Sequence, residues 1–326
     1  MTMKPERRLS SLCPLPVLAL GALVACADGA PNAMPTPGSA SGSGSLPTPT
    51  FDADSAYAHV VKQVAFGPRV PGTPGHAAQL AWMTEYLRAR ADTVVLQAFE
   101  HEASDGTLLR LSNVFVRFRP AETQRLLVLA HWDTRPTADN ERNSEDRVKP
   151  IPGANDGASG TAVLLELANV LSRNSPPIGV DLLFVDGEDY GPGEPDMYLG
   201  AKHFATDLGG YKPLYGVLLD MIGDQNPVYR IEGNSQERAP EVIERVWRMA
   251  DELGYGRTFV RQSGGYISDD HIPLNQAGIR TINIIDFDYG PGNAYWHTLE
   301  DDLDRTAPRG LGTVGTVLVH LIFRGG

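Results

Sequence analysis

Beyond Phe51 the chain alternates short unbroken apolar runs with longer stretches in which apolar residues return every third or fourth position. The first pattern predicts strands buried on both faces, the second helices with one apolar side. Helices are expected over 55–66 and 76–90, flanking the Pro/Gly-rich turn 67–75. Residues 94–100 and 109–118 read as paired strands. Then follow 126–131 (strand), 159–171 (helix), 180–186 and 214–221 (strands), 240–253 (helix), 281–286 (strand) and 311–323 (helix). This alternation implies an α/β fold, a three-layer sandwich with helices on both faces of a mixed, mostly parallel central sheet. Neither an internal repeat nor a second folded domain is visible, so 51–326 is expected to form one catalytic-sized domain.

The beginning of the chain follows a different pattern. Lys4, Arg7 and Arg8 precede an apolar run over 15–24, too short to span a bilayer as a stable helix. The run closes on Leu23-Val24-Ala25-Cys26. Residues 1–26 are therefore read as a signal and set aside from the fold. Their ending resembles the lipobox of bacterial lipoproteins, which would leave a lipid on Cys26; a plain secretory signal cut near Ala25 is the alternative. Residues 27–50 are dominated by Ala, Pro, Gly, Ser and Thr, which cannot bury enough apolar surface to fold and predict a flexible tether. The protein is thus expected to be exported, periplasmic or anchored at the outer membrane, touching lipid only through that N-terminus and acting as a monomer.

Cys13 and Cys26 are the only cysteines. A metal site in the domain must then draw on His, Asp and Glu, as catalytic zinc sites often do. The net charge of −12 argues against nucleic acid, which needs clustered cations to displace counterions.

Polar residues cluster where buried runs end: His131-Trp132-Asp133, Asp186-Gly187-Glu188-Asp189 and Asp220-Met221. In open α/β sheets ligands bind outside the carboxyl ends of the strands. Asp156 lies in Gly153-Ala154-Asn155-Asp156-Gly157 just before a helix, where capping that helix is the simple alternative role. His297, in Tyr295-Trp296-His297-Thr298, stands beside the acids Glu300, Asp301 and Asp302.

In register over about 52–326, Ala130-His131-Trp132-Asp133, Gly153-Ala154-Asn155-Asp156, Phe184 through Asp189, Leu219-Asp220-Met221, Asp269-Asp270-His271-Ile272-Pro273 and Trp296-His297-Thr298 resemble the zinc aminopeptidase-like superfamily, peptidase family M28. The resemblance is strongest to its glutaminyl-peptide cyclotransferase branch. It implies one Zn2+ on Asp156, Asp189 and His297, Glu188 as general acid/base with Asp220 and Asp269 beside it, and Trp296 as a wall of the substrate pocket. In the hydrolytic relatives His131 and Asp220 would hold a second zinc, with Asp156 bridging.

The implied substrates are peptide or protein N-termini, glutamine closing to pyroglutamate with loss of ammonia. A two-zinc aminopeptidase is the competing reading, and a binding module without metal the third. Two departures stand out. Asp189 occupies a position where the animal enzymes carry Glu, and 190–203 lacks their pocket tryptophan, for which Tyr190 or Tyr198 is expected to substitute. The charged loop 134–151 reads as a solvated excursion.

Overall fold

The computed structural model describes residues 48–326. The expected signal at 1–26 and nearly all of the expected tether lie outside the described residues. The elements run in the order α1 (Ala53–Val64), α2 (Pro74–Arg88), β1 (Thr93–Glu102), β2 (Leu108–Phe118), β3 (Arg125–His131), α3 (Ala158–Arg173), β4 (Gly179–Val185), α4 (Leu199–Thr206), β5 (Tyr215–Asp220), β6 (Tyr229–Ile231), α5 (Gly233–Arg238), α6 (Pro240–Glu252), β7 (Phe259–Ser263), α7 (His271–Gln276), β8 (Thr281–Ile285) and α8 (Pro308–Phe323). Every expected helix and strand is present within a few residues. The short elements α4, α5, α7, β6 and β7 are additions, because three to eight residues carry too little periodicity to read.

The main sheet has the order β1-β2-β4-β3-β5-β8. β4, β3, β5 and β8 run parallel, and β2 and β1 continue the sheet antiparallel. β3 and β4 are buried at all seven positions, and β5 at all six. Successive side chains alternate faces. Leu126, Val128 and Ala130 enter the larger core with α1, α3, α6 and α8, while Leu127 and Leu129 pack against Phe204 of α4 and Leu274 of α7. Three layers follow directly. Among the described residues no helix is long and apolar enough to cross a membrane.

The parallel register places the ends of β3, β4 and β5 on one edge. His131 pairs with Val185, and Asp220 with Ile285. Polar residues that follow these strands therefore converge, although they are far apart in sequence.

Candidate active site

Each candidate ligand is set by backbone that another side chain holds. The turn before Asp156 is gripped by the buried Arg69, which donates to the carbonyls of Pro152 (2.5 Å) and Gly153 (2.6 Å). Asp301 accepts from the backbone N–H of Asn155 (2.8 Å) and Asp156 (3.2 Å), and its Oδ1 also takes the Tyr289 hydroxyl (3.0 Å). Burial, followed by repulsion from Asp156, pushes Asp301 up to about 7. Asp156 does not cap α3, whose start has no side-chain cap; its carboxylate is free to face the cleft. Gly157 is needed there because a Cβ would strike the His131 ring.

The turn after β4 is held in the same manner. Both oxygens of Asp133 accept from backbone, one from Glu188 N (3.1 Å) and one from Asp189 N (3.2 Å). Asp186 is tied below to His76 (2.9 Å) and the Ser112 amide (2.7 Å). His297 adopts a left-handed φ of 55°, a conformation that costs energy for a residue with a Cβ and is common at functional sites. Its ring stacks on Trp296 at 3.9 Å, and its carbonyl accepts from Asn140 N.

These placements bring Asp156, Asp189 and His297 together, one ligand atom from each lying within 4.8 Å of the others. His297 Nε2 is 3.3 Å from Asp189 Oδ1 and 3.6 Å from Asp156 Oδ2. Tetrahedral ligands at ~2.1 Å from an ion stand about 3.4 Å apart, which this spacing matches. The buried Asp189 Oδ2 has no hydrogen-bond partner among the described residues, an omission a bound cation would explain. An imidazole with two carboxylates suits zinc. A second group, His131, Asp156 and Asp220, meets the same distance criterion and shares Asp156.

The groups open onto a cleft of about 360 Å³, lined among others by Glu188, Asp220, Asp269, Tyr198 and Trp296. Burial lifts Glu188 well above the usual carboxylate range against the pull of His131, and the Asp269 carboxylate adds to the lift. Asp269 is raised likewise, first by burial and then by Asp220. Both shifts favour the protonated form, the direction expected where carboxyls crowd together away from water. Trp296 lines the cleft and meets Phe287 edge-to-face at 4.9 Å.

Two expectations need correction. Tyr190 does not line the cleft; it packs beside Phe99 over Ala103, Leu109, Leu111 and Leu199. Tyr198, in left-handed backbone (φ 58°) at the start of α4, lines it instead, with Pro192 and Met197. Nor is 134–151 simply a solvated excursion. Arg135, Asp139 and Asn140 form one wall of the cleft, and Arg135 donates to Asp189 Oδ1 at 2.7 Å. The holding residues Arg69, Asp133, Arg135 and Asp301 had no role assigned from sequence. The sequence signal for them is slight: Asp133 and Arg135 follow the polar end of β3, and Asp301 belongs to the acid run beside His297.

Residues 113–322 match the sequence profile of peptidase family M28. The chain belongs to peptidase family M28. Its M28 relatives include the glutaminyl-peptide cyclotransferase of Bos taurus, 28% identical over 291 residues, 77% of each chain. The glutaminyl cyclase of Bacteroides thetaiotaomicron bound to N-acetylhistamine is 40% identical, with a TM-score of 0.82 over 85% of this chain and 99% of its own. A leucine aminopeptidase precursor from the same organism is as similar, at 40% identity and TM-score 0.81 over 85% of this chain and 98% of its own. The likeness fixes family and fold; the two activities named for these neighbours have to be separated on the chemistry of the cleft.

Proposed function

We propose that this M28 enzyme is a glutaminyl-peptide cyclotransferase, closing an N-terminal glutamine to pyroglutamate and releasing ammonia. The α-amine of the substrate attacks its own side-chain amide carbon; a C–N bond forms to the amine and the C–N bond to the departing ammonia breaks. Asp156, Asp189 and His297 would hold one zinc, which when bound polarises the amide carbonyl as a Lewis acid. Glu188 takes the proton released by the amine and returns one to the leaving nitrogen. Such acid/base help is worth ~10²–10⁴-fold when the group's pKa lies near the working pH. The upward push on Glu188 from burial and from Asp269 supports that role. Ring closure is intramolecular, so the walls at Trp296 and Tyr198 need only keep the glutamine side chain folded back on its amine.

The observation that carries this reading over hydrolysis is the state of the second group. Asp156, Asp189 and His297 all line the cleft, and His131 does not. The ligand spacing of the second group nevertheless favours the two-zinc aminopeptidase as the second reading. Pyroglutamate and ammonia formation from Gln-peptides, set against amine release from Leu-p-nitroanilide, decides between them. Cyclisation with one zinc per chain is expected; hydrolysis with two overturns the proposal. Export with a lipid at Cys26 belongs to the same proposal, supported by the lipobox-like Leu23-Val24-Ala25-Cys26.

A further inference from the structure

Strand β8 reads Thr281-Ile282-Asn283-Ile284-Ile285 and is buried throughout. Ile282 and Ile284 join the larger core, so alternation turns Asn283 to the opposite face, toward α5 and α7. A polar amide in the middle of an apolar strand calls for a reason. Its Nδ2 donates to Asp269 Oδ2 at 2.6 Å, whereas its Oδ1 has no partner among the described residues. An amide placed for packing alone would have both ends satisfied; here the single side-chain bond goes to an acid of the cleft.

Asn283 is itself seated by a buried network. Its backbone N–H donates to Ser235 Oγ at 2.9 Å, and that hydroxyl donates to Glu232 Oε2 at 2.6 Å. Glu232, fully buried, also receives Ser235 N (2.6 Å), Asn234 N (2.8 Å) and Ile267 N (3.0 Å), and its Oε2 lies 3.1 Å from His271 Nε2. Burial alone would raise Glu232, but the bonds from His271 and Ser235 outweigh it and hold the carboxylate at about 2. One permanent buried anion therefore ties α5, the cleft-lining segment at Ile267 and the start of α7 into a single frame. Asp269 sits within that frame, its other oxygen capped at 2.6 Å by the Asp270 amide.

We infer that Asn283, seated by Ser235 and Glu232, is a positioning residue: it fixes the rotation of the Asp269 carboxyl in the cleft that Glu188 also lines, and so the side of that acid presented to the substrate. The kinetic part of this inference rests on the cyclotransferase reading; the geometric part does not.

Asn283→Leu, nearly isosteric and apolar in an apolar strand, is the main test. Asn283→Ala removes the donor without adding bulk or charge, and serves if the leucine variant misfolds. Crystal structures of the zinc-loaded full-length proteins report the Asp269 rotamer, and steady-state kinetics on a Gln-peptide report kcat and KM separately. The expected result is a rotated Asp269, kcat lowered about tenfold, KM within about twofold and unchanged zinc content, since no ligand is touched. An Asp269 carboxyl left in place, or kcat within twofold of wild type in a folded variant, overturns the inference. Absence of cyclisation by the wild-type enzyme would instead defeat the proposed function, and the Asp269 rotamer would still decide the positioning role.

Discussion

The two acid–imidazole groups that share Asp156 have nearly the same chemistry and different surroundings. Asp156, Asp189 and His297 all line the cleft, and a buried Asp189 oxygen there is unpartnered. In the other group His131 lies behind the cleft, 3.1 Å from Asp156 and 3.2 Å from Asp220, with its Nδ1 3.5 Å from Asp133. In both groups an imidazole faces two carboxylates, at 3.1 and 3.2 Å in this one and at 3.3 and 3.6 Å in the first. In the first group, Asp189 keeps an oxygen to offer. Ligand type and spacing recur in both, and each leaves one buried atom without a hydrogen-bond partner among the described residues, Asp189 Oδ2 in the first and His131 Nδ1 in the second; what separates them is that every residue of the first lines the cleft and His131 does not.

The largest expected effect comes from removing one imidazole at a time. His297→Ala should lose the ion and essentially all turnover, because two carboxylates alone make an incomplete zinc site. His131→Ala should keep one equivalent of zinc by metal analysis. Equal metal loss from both variants would erase the distinction between the groups. Next in size is Glu188→Gln, which leaves every ligand in place. Turnover should fall by ~10²–10⁴ with zinc retained. Near-normal kcat in that variant would assign the proton transfer to another cleft acid.

Much of this contrast is legible in the sequence. The runs of β3, β4 and β5 stand out because strands covered on both faces need unbroken apolar sequence, and His131, Glu188, Asp189 and Asp220 stand out because they end those runs. The supporting residues do not. Asp301 holds Asn155 from 146 positions away and Asp133 holds Glu188 from 55; no local pattern encodes a hydrogen bond across such distances. Tyr190 and Tyr198 look interchangeable in sequence. Which one faces the cleft depends on an irregular segment, a 3-10 turn at Glu194–Asp196 and the left-handed backbone of Tyr198. The loop 134–151 reads as solvated because its exposed tip carries most of its charge, whereas its base, at Arg135, Ala138 and Ile151, is buried.

Arg135 offers the finest test of why Asp189 differs from Asp220. Its Nη1 donates to Asp189 Oδ1 at 2.7 Å, and Nε and Nη2 grip Asp139 at 2.7 and 2.9 Å. Gly191 leaves room for the guanidinium, since a Cβ there would lie 2.7 Å from Nη1. Two opposed effects act on a nearby cation. The guanidinium charge would repel it, while the guanidinium, anchored on Asp139, fixes the rotation of the Asp189 carboxylate through the Nη1 bond to Oδ1 and leaves Oδ2 unpartnered. The repulsion is softened because Asp139 already neutralises most of that charge, so orientation should dominate. Partners of this kind typically change metal affinity by ~10–100-fold. Arg135→Met should therefore weaken zinc retention by about tenfold in a chelator competition, and Arg135→Lys should not restore it, because a single ammonium cannot reproduce the planar fork. Tighter zinc binding in Arg135→Met would mean that charge repulsion governs this side of the site, and that the free Asp189 oxygen owes nothing to its neighbour.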